Sequence, residues 1–160
     1  MKKNAEYYKK VLKLDPVKCN GFLKLAYDQS PDFNFAYYLT EKNMICPWHT
    51  MGTTETCHFI DGDPMTVICM EKGQPVYYQL FSEINPDLNQ HFHLFIPPQT
   101  PCAFFVSDPG EWSLISHFHF PSYDETTCFY FTAKEFAEKY PSYAHLGKKY
   151  GLRGFYNKKS

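Results

Sequence analysis

The chain has 160 residues, of which 44% are hydrophobic, 19% aromatic and 21% charged. These fractions exclude a disordered chain and predict a single folded domain over residues 1–160. The net charge is −1 and the only arginine is Arg153. A nucleic-acid-binding surface needs clustered positive charge, so we expect no nucleic-acid partner.

The six cysteines are scattered along the chain and form no CxxC pair. No segment approaches the roughly 20 apolar residues that a membrane-spanning helix requires. The lysines near the N-terminus are not followed by the apolar run of a secretion signal. We therefore expect a cytoplasmic protein with reduced thiols and no membrane association.

The first predicted element is a short helix over residues 5–13. Tyr8, Val11 and Leu12 have helical spacing there, and Pro16 follows. Residues 21–131 have a different pattern, with at least eight short runs of apolar, aromatic and β-branched residues. Pro, Gly, Asn and Asp separate these runs, which is typical of an all-β sandwich or barrel.

Helices are predicted again over residues 132–150. Thr132 and Glu135 have the spacing of a capping box, in which each side chain bonds the other residue's backbone N–H. Pro141 ends this helix and can open a second one, which runs to about Lys149. Residues 151–160 form a lysine-containing tail that we expect to be frayed.

The window 48–62 contains the most informative polar residues. Five residues separate His49 from Glu55, and Gly62 follows Glu55 after six more. Two strands joined by a short turn would bring His49 and Glu55 together on one face. An imidazole beside a carboxylate can hold a metal ion or transfer protons.

This window resembles the first motif of the cupin superfamily, G-x5-H-x-H-x3,4-E-x6-G, with His49, Glu55 and Gly62 at matching positions. The segment 96–102, IPPQTPC, resembles the second motif, with Pro97 as its proline. The order of the short segments along residues 10–150 is most similar to the fifth cupin family. The resemblance implies a double-stranded β-helix, or jelly roll, with an internal pocket and a homodimeric assembly.

The chain departs from the cupin pattern at two of the four usual metal-ligand positions. The second histidine of the first motif is Met51, and the histidine of the second motif is Cys102. We interpret Met51 and Cys102 as pocket-lining residues whose first role is packing. A divalent metal is possible but not required, and the candidate ligands are His49, Glu55 and His93.

Four further residues are candidates for contacting a bound molecule. The phase implied by the fifth family points His93 inward beside His49. Alternation places either His58 or its neighbour Cys57 inside. Tyr37 and Phe59 are core aromatics that could also line a pocket. His117 and His119 share one face of the last long strand, and the sequence leaves open whether they or Phe118 and Phe120 point inward.

Two functions are compatible with these residues. In the first, the protein is a small-molecule isomerase or epimerase in which His49 is the base and Glu55 orients it or acts as the acid. The lack of pocket arginines disfavours a nucleotide-sugar substrate and favours a small molecule with little charge. In the second, the protein is a non-catalytic ligand-binding or structural cupin.

Overall fold

A computed structural model describes residues 3–17 and 19–152 of the chain. The predicted frayed tail lies mostly outside this range. The described residues form twelve strands and three α-helices, so the predicted all-β jelly roll with short flanking helices is confirmed. The strands are β1 Asp15–Val17, β2 Gly21–Tyr27, β3 Asn34–Glu41, β4 Ile45–Thr50, β5 Thr54–Gly62, β6 Met65–Glu71, β7 Gln74–Leu80, β8 Gln90–His91, β9 His93–Ile96, β10 Cys102–Val106, β11 Trp112–Phe120 and β12 Phe129–Tyr130.

The strands form two six-stranded sheets that pack face to face. The first sheet has the order β1-β2-β3-β11-β5-β9, and the second has the order β12-β4-β10-β6-β7-β8. Among the twelve strands of the described residues the pairs are antiparallel, apart from β7 and β8, which run parallel. Strands distant in sequence are neighbours in both sheets, so residues from both halves of the chain meet in the interior.

The hairpin between β6 and β7 shows how turn chemistry fixes strand register. Lys72 and Gly73 have φ angles of 50° and 80°, and Glu71 pairs with Gln74 on either side of them. Two central residues with positive φ suit the twist of a tight two-residue hairpin, and glycine adopts such angles without strain.

The N-terminal helix α1, Ala5–Val11, packs on the outer face of the first sheet. It ends two residues earlier than predicted, because Leu12 caps it and Lys13 adopts a left-handed φ of 53°. Ala5 and Leu14 are buried against Leu39 and Leu114 of the sheet beneath.

The C-terminal helices cover the outer face of the second sheet. They are α2, Ala133–Lys139, and α3, Ala144–Tyr150, joined by a 3-10 turn that begins at Pro141. Trp48 of β4 is fully buried between the sheet and these helices. Its ring stacks on Phe136 with centroids 4.5 Å apart, and its indole N–H donates to the Leu146 carbonyl at 3.1 Å.

The predicted capping box at the start of α2 is confirmed, with both reciprocal bonds present between Thr132 and Glu135. Replacing Thr132 with alanine should lower the free energy of unfolding by about 1 kcal/mol, because it leaves a helix N–H without an acceptor. Urea unfolding followed by circular dichroism would measure the loss. Thr132→Ser keeps the hydroxyl and should behave like wild type. Equal loss in both variants would contradict this explanation.

The main hydrophobic core lies between the two sheets. It is formed by inward-facing side chains of both, including Tyr38, Phe59, Val67, Phe104 and Ile115. Among the described residues, no helix is both long and apolar enough to cross a membrane.

Candidate functional site

A cavity of about 310 Å³ lies between the sheets and continues from the core. Its walls come from both sheets, from the segment around the β1–β2 turn and from the loop after β11. Most of the lining is apolar or aromatic. The lining residues are Val17, Cys19, Leu23, Leu25, Ala36, Tyr38, Cys46, His49, Met51, Glu55, Phe104, His117, His119, Tyr123, Glu125 and Tyr130.

A bulge in β4 directs His49 into this cavity. On the partner strand β10, Cys102 pairs with His49 and Phe104 pairs with Cys46, so three steps along β4 oppose two steps along β10. The extra residue changes which side chains face inward. Cys46 and His49 therefore both face the interior, while Trp48 between them points out toward the C-terminal helices.

The His49 ring is held in one tautomer. Its Nδ1 lies 2.8 Å from the Pro47 carbonyl oxygen, which can only accept, so Nδ1 carries the proton. Nε2 is then unprotonated, and the Cys102 thiol lies 3.7 Å from it, within hydrogen-bond distance for a sulfur donor. Burial lowers the pKa of His49, although the charge of Glu55 opposes this effect. The result is a neutral imidazole whose proton-accepting atom faces the interior.

Glu55 at the start of β5 is the central charged group of the site. Its side chain is 2% exposed, yet two imidazoles of the neighbouring strand β11 face it. His117 Nδ1 bonds Glu55 Oε1, and His119 Nε2 lies 3.8 Å from the same oxygen. Glu55 Oε2 and His117 Nε2 are buried and have no hydrogen-bond partner within residues 3–17 and 19–152.

The surrounding imidazoles keep Glu55 ionised. Burial alone would raise the pKa of this carboxyl group, but the charge and hydrogen bond of His117 outweigh burial. Smaller effects of His119 and His49 add to this, and the pKa of Glu55 falls to about 2. A buried carboxylate with three histidines around it is thus a stable negative charge at the cavity wall.

A second buried hydrogen bond orients His119. Its Nδ1 lies 2.8 Å from Oδ1 of Asn34, on the adjacent strand β3. Because Asn34 Oδ1 accepts the proton of Nδ1, Nε2 is unprotonated, and its lone pair faces Glu55. Burial lowers the pKa of His119 to about 4 despite the nearby carboxylate, so this ring too is neutral at pH 7.

The structure brings together some of the residues predicted from the sequence. His49, Glu55 and Met51 line one cavity, and a ligand atom of His49 lies within 4.8 Å of one of Glu55. Cys102 is buried directly behind His49 and contacts its ring. Burial raises the pKa of Cys102 well above its ordinary value, so this residue stays a protonated thiol.

The expected inward orientation of His93 is wrong, and of the two alternatives on β5 it is Cys57 rather than His58 that faces inward. His93 pairs with His58 across β9 and β5, and both rings lie on the outer face of the first sheet, 5.9 Å apart. The inward residues of β9 are instead Leu94 and Ile96, which are buried. On β5, the register that turns Glu55 and Cys57 inward necessarily turns His58 outward.

The two aromatic candidates do not line the cavity either. Tyr37 faces the outer side of β3, where it packs against Phe35 and the cluster beneath α1. Its neighbour Tyr38 takes the inward position instead. Phe59 is in the core between the sheets and packs edge-on against Phe81.

Several residues of the site cannot be identified from the sequence. For His117 and His119, alternation shows that they share a face but not which face it is. Asn34 and Tyr130 gave no signal, since a single amide or phenol in a short strand is common. The one available signal was that two histidines alternate on one predicted strand and so share a face.

The four positions that the cupin resemblance assigns to a metal do not form a complete ligand set. Met51 and the protonated thiol of Cys102 replace two imidazoles. A different set, Glu55 with His117 and His119, has one donor atom from each residue within 4.8 Å of the others. These three side chains could hold a metal ion.

Comparison with known proteins places this site in a structural context. The chain is similar to protein SO0799 from Shewanella oneidensis, with a TM-score of 0.85 and 18% identity over 94% of this chain and 99% of that one. A hypothetical protein from Leishmania major has a TM-score of 0.83 and 19% identity, over 94% and 100% of the two chains. No curated protein matches the sequence.

A more distant likeness is to the polyketide cyclase RemF from Streptomyces resistomycificus. The TM-score is 0.58 with 15% identity, over 91% of this chain and 99% of that one. At these identities the likenesses show a shared fold. The sequence profile of the family described as "Cupin superfamily (DUF985)" matches residues 6–130, and the chain therefore belongs to this cupin family.

Proposed function

We propose that this protein binds a small, weakly charged molecule in its cavity and transfers a proton on it, as in the isomerisation or epimerisation of a carbonyl compound. The observation that carries the proposal is the pairing of a neutral His49, with its Nε2 unprotonated, and an ionised Glu55 in the wall of one cavity. The homodimer and the cytoplasmic location expected from the sequence remain predictions.

The size and lining of the cavity support a small ligand. About 310 Å³ is at the lower end of the range in which proteins hold small molecules. None of the described residues that line it is a lysine or an arginine, and the charged ones are Glu55 and Glu125. A strongly anionic ligand would find no counter-charge there, whereas a neutral molecule could pack against the aromatic walls.

The two central residues have distinct roles in this proposal. His49 Nε2 accepts a proton from the carbon atom next to the carbonyl group and leaves a planar enolate. In an isomerisation the same nitrogen returns the proton to the former carbonyl carbon while the hydroxyl proton of the substrate moves to the carbonyl oxygen; in an epimerisation the enolate turns over in the cavity before the proton returns to the same carbon. The Pro47 carbonyl keeps the ring in the required tautomer. Glu55 stabilises the imidazolium that forms, because its negative charge raises the affinity of His49 for a proton.

Hydrogen–deuterium exchange tests the proposal without knowledge of the natural substrate. The protein is incubated in D₂O with a set of small carbonyl compounds and unmodified sugars, with a chelator present, and ¹H NMR records loss of the signals next to the carbonyl. We expect exchange with at least one compound. His49→Gln should slow it about 100-fold or more, because the base is removed.

The matched control is His58→Gln, which changes a histidine on the outer face of the first sheet and should exchange like wild type. A compound that raises the melting temperature of the wild-type protein but never exchanges would overturn the catalytic proposal in favour of simple binding. Equal exchange rates in wild type and His49→Gln would also overturn the role of His49.

A further inference from the structure

We infer that Glu55, His117 and His119 form a binding site for one divalent transition-metal ion in the cavity wall. This centre differs from the usual cupin ligand set, because two of its three ligands come from β11 rather than from the two motifs. The inference goes beyond the proposed proton transfer, because metal binding can be measured with no substrate present.

The donor atoms of the three side chains lie close enough together to hold one ion. One nitrogen of His117, one of His119 and one carboxylate oxygen of Glu55 all lie within 4.8 Å of one another. A transition-metal ion holds its nitrogen and oxygen ligands at about 2.0 to 2.2 Å, so its donor atoms are about 3 to 4 Å apart. The His119 Nε2 to Glu55 Oε1 distance of 3.8 Å already fits this spacing.

Two polar atoms of the cluster lack a hydrogen-bond partner among the described residues. They are Glu55 Oε2 and His117 Nε2, and both are buried. Buried polar atoms without partners are costly, and native proteins pair the great majority of them. A cation in the cluster would supply a partner to the carboxylate and to an imidazole lone pair together.

A buried hydrogen bond from its second ring nitrogen orients His119 as a metal ligand. Metal-binding histidines usually donate their second ring N–H to an oxygen atom, which fixes the tautomer and directs the lone pair. His119 does this through Nδ1 and Asn34 Oδ1, so its Nε2 faces Glu55 as a ready ligand. Asn34 is itself 3% exposed, which makes the arrangement rigid.

The chemistry of the donor set selects the ion. Two imidazoles and one carboxylate suit borderline ions such as Fe²⁺, Co²⁺, Ni²⁺ and Zn²⁺, whereas Ca²⁺ and Mg²⁺ prefer sites built only of oxygen. All three ligands line the cavity, so the remaining coordination positions of the ion would face a bound molecule. Such an ion would polarise an oxygen atom of the bound molecule. His49 is not one of its three ligands and would remain available for proton transfer.

Titration with Co²⁺ tests the inference directly. Full-length protein freed of metal by chelation is titrated with Co²⁺, and binding is followed by the visible absorption of the protein-bound ion and by calorimetry. We expect one equivalent to bind, Zn²⁺ to displace it, and Mg²⁺ and Ca²⁺ to leave it in place. Glu55→Gln and His119→Gln should each weaken binding about 100-fold or more, and Asn34→Ala about tenfold.

The control is the double variant His58→Gln/His93→Gln, which removes an adjacent pair of histidines from the outer face and should bind Co²⁺ like wild type. Failure of the folded wild-type protein to bind one equivalent of Co²⁺ would overturn the inference. This outcome does not depend on whether the variants fold. So would unchanged binding by both folded ligand variants, or loss of binding in the outer-face variant. Exchange in chelator without metal binding would leave the proton-transfer proposal standing.

Discussion

Replacing Trp48 with alanine should lower the free energy of unfolding by about 3 to 5 kcal/mol. The side chain is fully buried, stacks on Phe136 and donates a hydrogen bond to the Leu146 carbonyl. Alanine leaves a large cavity between the second sheet and the C-terminal helices and removes this hydrogen bond. Urea unfolding followed by far-ultraviolet circular dichroism measures the loss.

Two further variants separate the contributions to this effect. Trp48→Phe retains a large aromatic ring and loses the hydrogen bond, so it should cost less than alanine. Phe129→Ala changes an aromatic residue that is 48% exposed on the neighbouring strand β12, and it should shift stability by no more than about 0.5 kcal/mol. A similar loss for Trp48→Ala and Phe129→Ala would contradict the packing described for the helices.

Replacing His117 with leucine should destabilise the metal-free protein by about 3 to 5 kcal/mol at pH 7, because it leaves the buried Glu55 carboxylate without its bonded partner. In wild type the pKa of Glu55 is below its unfolded value, so this group contributes stability above about pH 4.3 that is lost as the pH falls toward 2. In the variant, burial should raise this pKa.

The loss caused by His117→Leu should therefore be larger at pH 7 than at about pH 4.5, where protonation relieves the buried charge. Urea unfolding at both pH values, in the presence of a chelator, measures the difference. The double variant Glu55→Leu/His117→Leu should recover much of the loss, since it removes the stranded charge. His58→Leu, on the outer face, is the control. An equal loss at both pH values would refute this account of Glu55.

Much of the fold could be predicted because the strands carry local signals. Alternating side chains and turn residues mark the long strands, and the spacing from His49 to Glu55 marks the motif. The strands β1, β8 and β12 have only two or three residues and are too short to show alternation. They exist because neighbouring strands offer them hydrogen bonds, which is information about tertiary structure rather than local sequence.

The candidate site could be predicted only in part, for two physical reasons. Alternation along a strand groups residues by face but does not say which face is buried. On β11 the polar histidines face the interior, while Phe118 and Phe120 face outward and contact the aromatic side chains Phe35 and Phe33. His93 was misplaced because an orientation taken from the family resemblance does not hold for β9, where Leu94 and Ile96 fill the core.

The bulge in β4 contains the residue whose carbonyl oxygen holds the His49 ring. It allows one short strand to turn both Cys46 and His49 inward, although residues three apart on a regular strand face opposite sides. Deleting Pro47 would leave Cys46, Trp48 and His49 in plain alternation, so the indole would still face the C-terminal helices and the imidazole the cavity. A frame-preserving loss of that codon would therefore spare the helix anchorage but remove the Pro47 carbonyl that fixes the imidazole tautomer.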